Sequence, residues 1–174
     1  MVQAAGIVWM PLNREVLLKC CNMLKCNDCG TNGKNILLVE DCEDEALLAK
    51  RALKKAGIAK RIVWVKDGAE ALDYLHRECL ENGTPLPQLM LLDIQLPRVD
   101  GLGVLRAIRA DGRLSGVPVV MFSSSTEDQD VLDSYRFGAN GYVSKPVDSR
   151  LYDSVLCSIS SYWVVVNRCP SAVC

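Results

Sequence analysis

The stretch Leu89-Met90-Leu91-Leu92-Asp93 constrains this chain more than any other. Four consecutive large apolar side chains cannot alternate between a wet and a dry face. They specify a strand buried on both sides, the habit of parallel sheets covered by helices. The run ends in a carboxylate, and Pro97 and Gly101 then mark a tight loop. Asp93 therefore stands at the carboxyl end of a strand, where open α/β sheets place their ligand sites. The plain alternative is an Asp that only caps a loop.

Around this strand the pattern alternates. Asn35 to Val39 is an apolar strand running into Glu40-Asp41, and a helix from Asp44 to Ala56 carries Ala46, Leu47, Ala49, Leu53 and Ala56 on one face, with Gly57 as its stop. Arg61 to Val65 predicts a second strand and Gly68 to Leu80 a helix facing Ala71, Leu72, Leu75 and Cys79 inward. After Gly101 come a helix to about Ala110, a strand Val117 to Phe122, a helix Glu127 to Phe137, a strand Gly141 to Ser144 and a last helix from Asp148. Five strand-helix units at this spacing predict βαβ crossovers and a doubly wound parallel sheet of class α/β, covered on both faces. The last helix ends in Tyr162-Trp163-Val164-Val165-Val166, more apolar than a solvated tail. Core packing of one face is the plain reading, and a partner surface the sharper one.

The chain has 174 residues, enough for one domain and an extension. We divide it into an N-terminal extension, 1–33, expected to be poorly ordered, a domain at 34–166 and a tail at 167–174. With 20 basic and 21 acidic residues, bulk electrostatics supply no nucleic-acid surface. The apolar start Ala4 to Leu12 lacks a basic flank and a cleavage site and is too short to span a bilayer, so a cytoplasmic protein without a membrane partner is expected. Nine cysteines without a secretory signal read as mostly free thiols. Cys26-x-x-Cys29 resembles half a zinc site, but the adjacent Cys20 and Cys21 suit tetrahedral ligation poorly. The Gly30 to Asn35 segment lacks the spacing of a phosphate loop, and His76 is a single helical histidine without nearby ligands.

Comparing strand ends assembles a site. Glu40-Asp41 follows the first strand, Asp93 ends the third, Ser123 the fourth, and Lys145-Pro146 follows the fifth, all expected at one edge. Carboxylates brought together repel unless a cation neutralises them, and an all-oxygen cluster with open positions suits Mg²⁺. Lys145 as a point charge and Ser123 as a hydroxyl donor complete a cradle for phosphoryl oxygens.

These residues, with the loop Leu96-Pro97-x-x-Asp100-Gly101, Ser123 thirty residues after Asp93 and Lys145 twenty-two after Ser123, resemble the receiver domain of two-component response regulators. The resemblance covers Asn35 to about Trp163, and the long loop before the third strand is most similar to single-domain, phytochrome-associated regulators. It implies a five-stranded, flavodoxin-like (βα)5 fold and that Asp93 is the phosphoacceptor attacking the phosphohistidine of a sensor histidine kinase. It implies further that Asp41 and Asp93 ligate Mg²⁺ directly, Glu40 directly or through water, and Gln95 through its backbone carbonyl. Tyr142, three residues before Lys145, matches the aromatic switch that works with Ser123. The implied protein is not a turnover enzyme; it assists its own phosphorylation and dephosphorylation, and signals through its surface or a phosphorelay. A homodimer or kinase-docking surface is expected on the last two helices and the strand between them. Ser in place of Thr at 123 keeps the hydroxyl, while Gln95 leaves the dephosphorylation rate open. A dehalogenase-type phosphatase needs a general-acid aspartate where Gln95 stands. A degenerate receiver binding partners without phosphorylation is the remaining alternative.

Overall fold

The computed structural model describes residues 35–57 and 61–167. The extension ahead of residue 35, with Cys20, Cys21, Cys26 and Cys29, and residues 168–174 lie outside the described residues. In chain order the elements are β1 (Asn35–Val39), α1 (Glu43–Ala56), β2 (Arg61–Val65), α2 (Gly68–Asp73, continuing through π-helical turns Tyr74–Glu81), β3 (Leu89–Leu92), α3 (Gly101–Ala110), β4 (Val119–Ser123), α4 (Asp128–Arg136), β5 (Gly141–Ser144) and α5 (Ser149–Ser161, with π turns Tyr162–Val166). All five strands are parallel in the order β2-β1-β3-β4-β5. This is the expected flavodoxin-like doubly wound sheet, whose crevice opens where the order reverses, between β1 and β3.

The apolar strands divide their side chains between two cores. Leu37, Val39, Met90 and Leu92 pack with α2 and α3 through Ala71, Leu75, Val104, Leu105 and Ile108. Ile36, Leu38, Leu89 and Leu91 point the other way, onto Ala46, Ala49, Ala52 and Leu53 of α1 and Tyr152, Leu156 and Val164 of α5. Burial on both faces explains why β1 and β3 carry no polar residue within their apolar runs. Among the described residues, no helix is long and apolar enough to cross a membrane.

The fourth strand spans Val119–Ser123 in place of the expected Val117 to Phe122, and two other readings are resolved. Leu47 is 54% exposed, because alanines line the buried stripe of α1 and let it approach the sheet and α5 closely; Ala52 takes the inward place. The apolar end of α5 splits between both readings: Val164 is buried and Trp163 packs against the same core, while Tyr162 and Val166 are exposed.

Local signals set the helix ends. Acidic Glu43, Asp44 and Glu45 occupy the first turn of α1, Lys54 and Lys55 the last, and Gly57 closes the helix in the left-handed conformation at φ 66°. Asp100 caps α3 by accepting from the Gly103 amide at 2.6 Å. The neighbouring Gly101 is required by proximity, since a Cβ there would lie 2.0 Å from the Asp93 carbonyl oxygen. The loop after β3 folds back on the phosphoacceptor candidate only because that side chain is absent.

Candidate functional site

The sheet ladder continues one residue beyond two strands and seats the acids. Glu40 donates its amide to the Val65 carbonyl at 3.1 Å, and Asp93 donates to the Val39 carbonyl at 3.2 Å. The Trp64 indole also donates to the Glu40 carbonyl at 2.8 Å, so β2 holds Glu40 from both sides. Lys145 is placed likewise, its amide donating to the Ser123 carbonyl at 2.8 Å.

Lys145 joins the site across the sheet. Its Nζ donates to Glu40 Oε2, Glu45 Oε2 and Asp93 Oδ2, each at 2.6 Å. The other oxygen of Asp93 accepts from the amides of Ile94 at 2.6 Å and Gln95 at 3.4 Å. Glu40 and Asp93 are only 2% and 6% exposed. Ser123 is also buried, and its hydroxyl accepts from the Ser125 amide at 3.4 Å. Tyr142 is half-buried and donates its hydroxyl to the Ser125 carbonyl at 2.9 Å.

The strand-end residues Glu40, Asp93, Ser123 and Lys145 thus occupy the carboxyl edge foreseen from sequence. Asp41 is exposed, and the carboxylates whose oxygens lie within 4.8 Å of one another are Glu40, Glu45 and Asp93. Gln95 is exposed as a side chain and turns its amide toward Asp93. Glu45 was not foreseen. Its one legible sign is an acidic helix start just after an acidic pair, which serves equally as ordinary dipole compensation.

One ammonium shared by three carboxylates is over-subscribed. Burial alone would lower the Lys145 pKa, but its hydrogen bonds to Asp93, Glu40 and Glu45 outweigh that and hold it well above the usual lysine range. Burial pushes Glu40 from 4.5 up to about 7, and its share of Lys145 offsets only part of this. The remaining negative charge and the hard oxygen donors of Glu40 and Asp93 fit a divalent cation.

Between 4.5 and about 7 folded Glu40 retains a proton that the unfolded chain has lost, so the metal-free protein should lose stability as pH rises through this window. The size is on the order of 3 kcal/mol. The raised pKa of Lys145 acts elsewhere, its contribution being lost only above the ordinary lysine range. Urea denaturation in chelator at pH 5 and 7.5 should show the fall, and Glu40→Gln or a millimolar divalent cation should flatten it. An equal slope in wild type and Glu40→Gln would assign the effect to other groups.

At the end of the central strand the buried Asp93 is thus bonded to Lys145, which follows the last strand, with the buried Ser123 ending the strand between them. The chain belongs to the response regulator receiver domain family, whose family model matches residues 36–155. It is 42% identical over 135 residues to the probable methanogenesis regulatory protein FilR2 of Methanothrix harundinacea, covering 78% of this chain and 86% of that protein. It is 32% identical to the response regulator Rcp1 of Synechocystis, covering 80% of this chain and 95% of that one. The solved Mn²⁺-bound form of Rcp1 superposes with a TM-score of 0.72 over 79% of this chain and 99% of that chain, at 32% identity. The phosphorylated cyanobacterial phytochrome response regulator RcpA superposes at 0.74 over 80% of this chain and 99% of that chain, at 34% identity.

Proposed function

We propose that this response regulator takes a phosphoryl group from the phosphohistidine of a sensor histidine kinase onto Asp93, in a Mg²⁺-dependent reaction. The signal then passes through the domain's own surface or along a phosphorelay. The observation that carries this reading is the buried Asp93 carboxylate, with Oδ2 on Lys145 and Oδ1 on the Ile94 and Gln95 amides. Phytochrome-like kinases are the favoured donors, since relatives include RcpA and the bacteriophytochrome response regulator RtBRR, the latter 39% identical with a TM-score of 0.63 over 81% of this chain and 86% of that chain.

The chain's residues divide the work. An Asp93 carboxylate oxygen forms the new O–P bond while the donor P–N bond breaks and its electron pair leaves with the imidazole, which takes up a proton. Charge in such a transition state spreads over three equatorial oxygens, so a preplaced ammonium at Lys145 and a hydroxyl at Ser123 lower its energy. Glu40, Asp41, Asp93 and the Gln95 carbonyl would hold Mg²⁺. When bound it neutralises these acids and the phosphoryl oxygens. The domain so described assists its own phosphorylation and dephosphorylation without being a turnover enzyme.

For readout, phosphorylation draws the Ser123 hydroxyl toward the new oxygens, and Tyr142 exchanges its Ser125 partner for a second packing. The exposed Leu132 and Tyr135 of α4 and Tyr162 and Val166 at the end of α5 support a homodimer on this side of the domain.

The test is Asp93→Asn. The amide is not a nucleophile, so hydroxylamine-sensitive labelling by acetyl phosphate or a histidine kinase should fall at least about 100-fold, with the fold retained by circular dichroism. Labelling equal to wild type would remove Asp93 from the acceptor role.

A further inference from the structure

Lys145 has no donor to spare. An ammonium carries three N–H groups, and here each meets a carboxylate at 2.6 Å, from Glu40, Glu45 and Asp93. A phosphoryl group on Asp93 brings up to about two negative charges and strong acceptor oxygens. Lys145 can turn a donor toward them only by releasing a present partner.

The candidates for release differ in cost. Phosphorylation removes the charge of the Asp93 carboxylate, so the donor it holds passes to a phosphoryl oxygen, and a second donor can come only from Glu40 or Glu45. The Glu40 side chain is 3% exposed, and an uncompensated charge left there is expensive. The Glu45 side chain is 36% exposed and lies in the first turn of α1, where the helix dipole favours a negative charge without help from Lys145. Glu45 is therefore the partner that yields.

A second observation concerns the cleft beside Glu45. Tyr152 is buried with its ring edge-on to Phe122 at 5.5 Å, and its hydroxyl has no hydrogen-bond partner among the described residues. Glu45, Lys145, Ser124 and Tyr152 line one cleft of about 300 Å³. A buried hydroxyl without an acceptor is unfavourable, and a carboxylate released into that cleft relieves it.

We infer that Glu45 is a displaceable counter-ion of Lys145, holding the lysine in the unphosphorylated site, ceding it to the incoming phosphoryl group and passing to the Tyr152 hydroxyl. Glu45 is thus a positioning residue that sets how readily the site accepts a phosphoryl group. The inference rests on Asp93 being the acceptor.

The experiment titrates the full chain with beryllofluoride, a phosphoryl mimic, at saturating Mg²⁺ by calorimetry, alongside separate Mg²⁺ titrations and thermal melts. Glu45→Ala should bind beryllofluoride about three- to tenfold more tightly, because the competitor for Lys145 is gone, with Mg²⁺ affinity within about twofold of wild type. Tyr152→Phe should bind it about threefold more weakly, and this loss should vanish in the Glu45→Ala background. Equal or weaker beryllofluoride binding by Glu45→Ala would overturn the inference, as would a tenfold loss of Mg²⁺ affinity, which would make Glu45 a metal ligand. A Tyr152→Phe effect that persists without Glu45 would remove the hand-over. Failure of the wild type to bind beryllofluoride would overturn the acceptor reading and this one with it, whereas wild-type binding with an indifferent Glu45→Ala would overturn this one alone.

Discussion

Lys145→Met should cost the metal-free protein about 3 to 5 kcal/mol at pH 7.5, with most of that loss recovered near pH 5 or in millimolar Mg²⁺. Methionine keeps much of the stem volume and packs, so the effect isolates the charge. Without the ammonium, Glu40, Glu45 and Asp93 keep oxygens within 4.8 Å of one another. At an effective dielectric of 20 each such pair repels by roughly 3 kcal/mol. Glu45 escapes to solvent, since it is the most exposed of the three, but Glu40 and Asp93 are buried and cannot. The least costly response is for Glu40, already raised to about 7, to keep its proton to still higher pH. The destabilisation should therefore follow the Glu40 titration, growing as pH rises. A loss below about 1 kcal/mol at pH 7.5, or one independent of pH, would show that the lysine does not hold the cluster together.

The second large effect lies at the opposite edge of the sheet. Arg109 of α3 donates from Nε to the Gly138 carbonyl at 2.9 Å and from its terminal nitrogens to the carbonyls of Ser115 at 3.1 Å and Val117 at 3.0 Å and to Asn140 Oδ1 at 2.8 Å. Asn140 Oδ1 in turn accepts from the Val119 amide, at the start of β4. One guanidinium fork thus ties α3 to the segments entering β4 and β5. Burial lowers the pKa of Arg109, yet it remains within a set of oxygen acceptors that suits a cation. Arg109→Ala strands these acceptors and should lower stability by about 3 kcal/mol. Arg109→Lys should recover little, because an ammonium cannot reproduce the fork. Urea denaturation measures both, and a loss under about 1 kcal/mol in Arg109→Ala would show that water replaces the guanidinium readily.

The elements that sequence marked most clearly are those whose signal is local. Leu89 to Leu92 is buried on both faces as its composition requires, and β1, β2 and β5 begin and end at the expected residues. The α3 helix starts after Asp100, which carries its own cap. Glu40, Asp93, Ser123 and Lys145 were also legible, because topology alone places the carboxyl ends of parallel strands on one edge. Leu47 was misjudged because the face a helix buries depends on what it packs against, and the period alone admits both Leu47 and Ala52.

Sequence by itself determined the doubly wound α/β order and the identity of the strand-end acids, since periodicity and strand termini are properties of neighbouring residues. Tertiary structure decided which carboxylates share Lys145. Glu45 reaches that lysine across 100 residues of chain, and Arg109 reaches Asn140 across 31. Neither contact leaves a distinctive local trace, because a charged residue on a helix reads the same whether its partner is solvent or a buried ion. Only the packing of α1 and α5 on the same face of the sheet converts Glu45 from a surface charge into a member of the site.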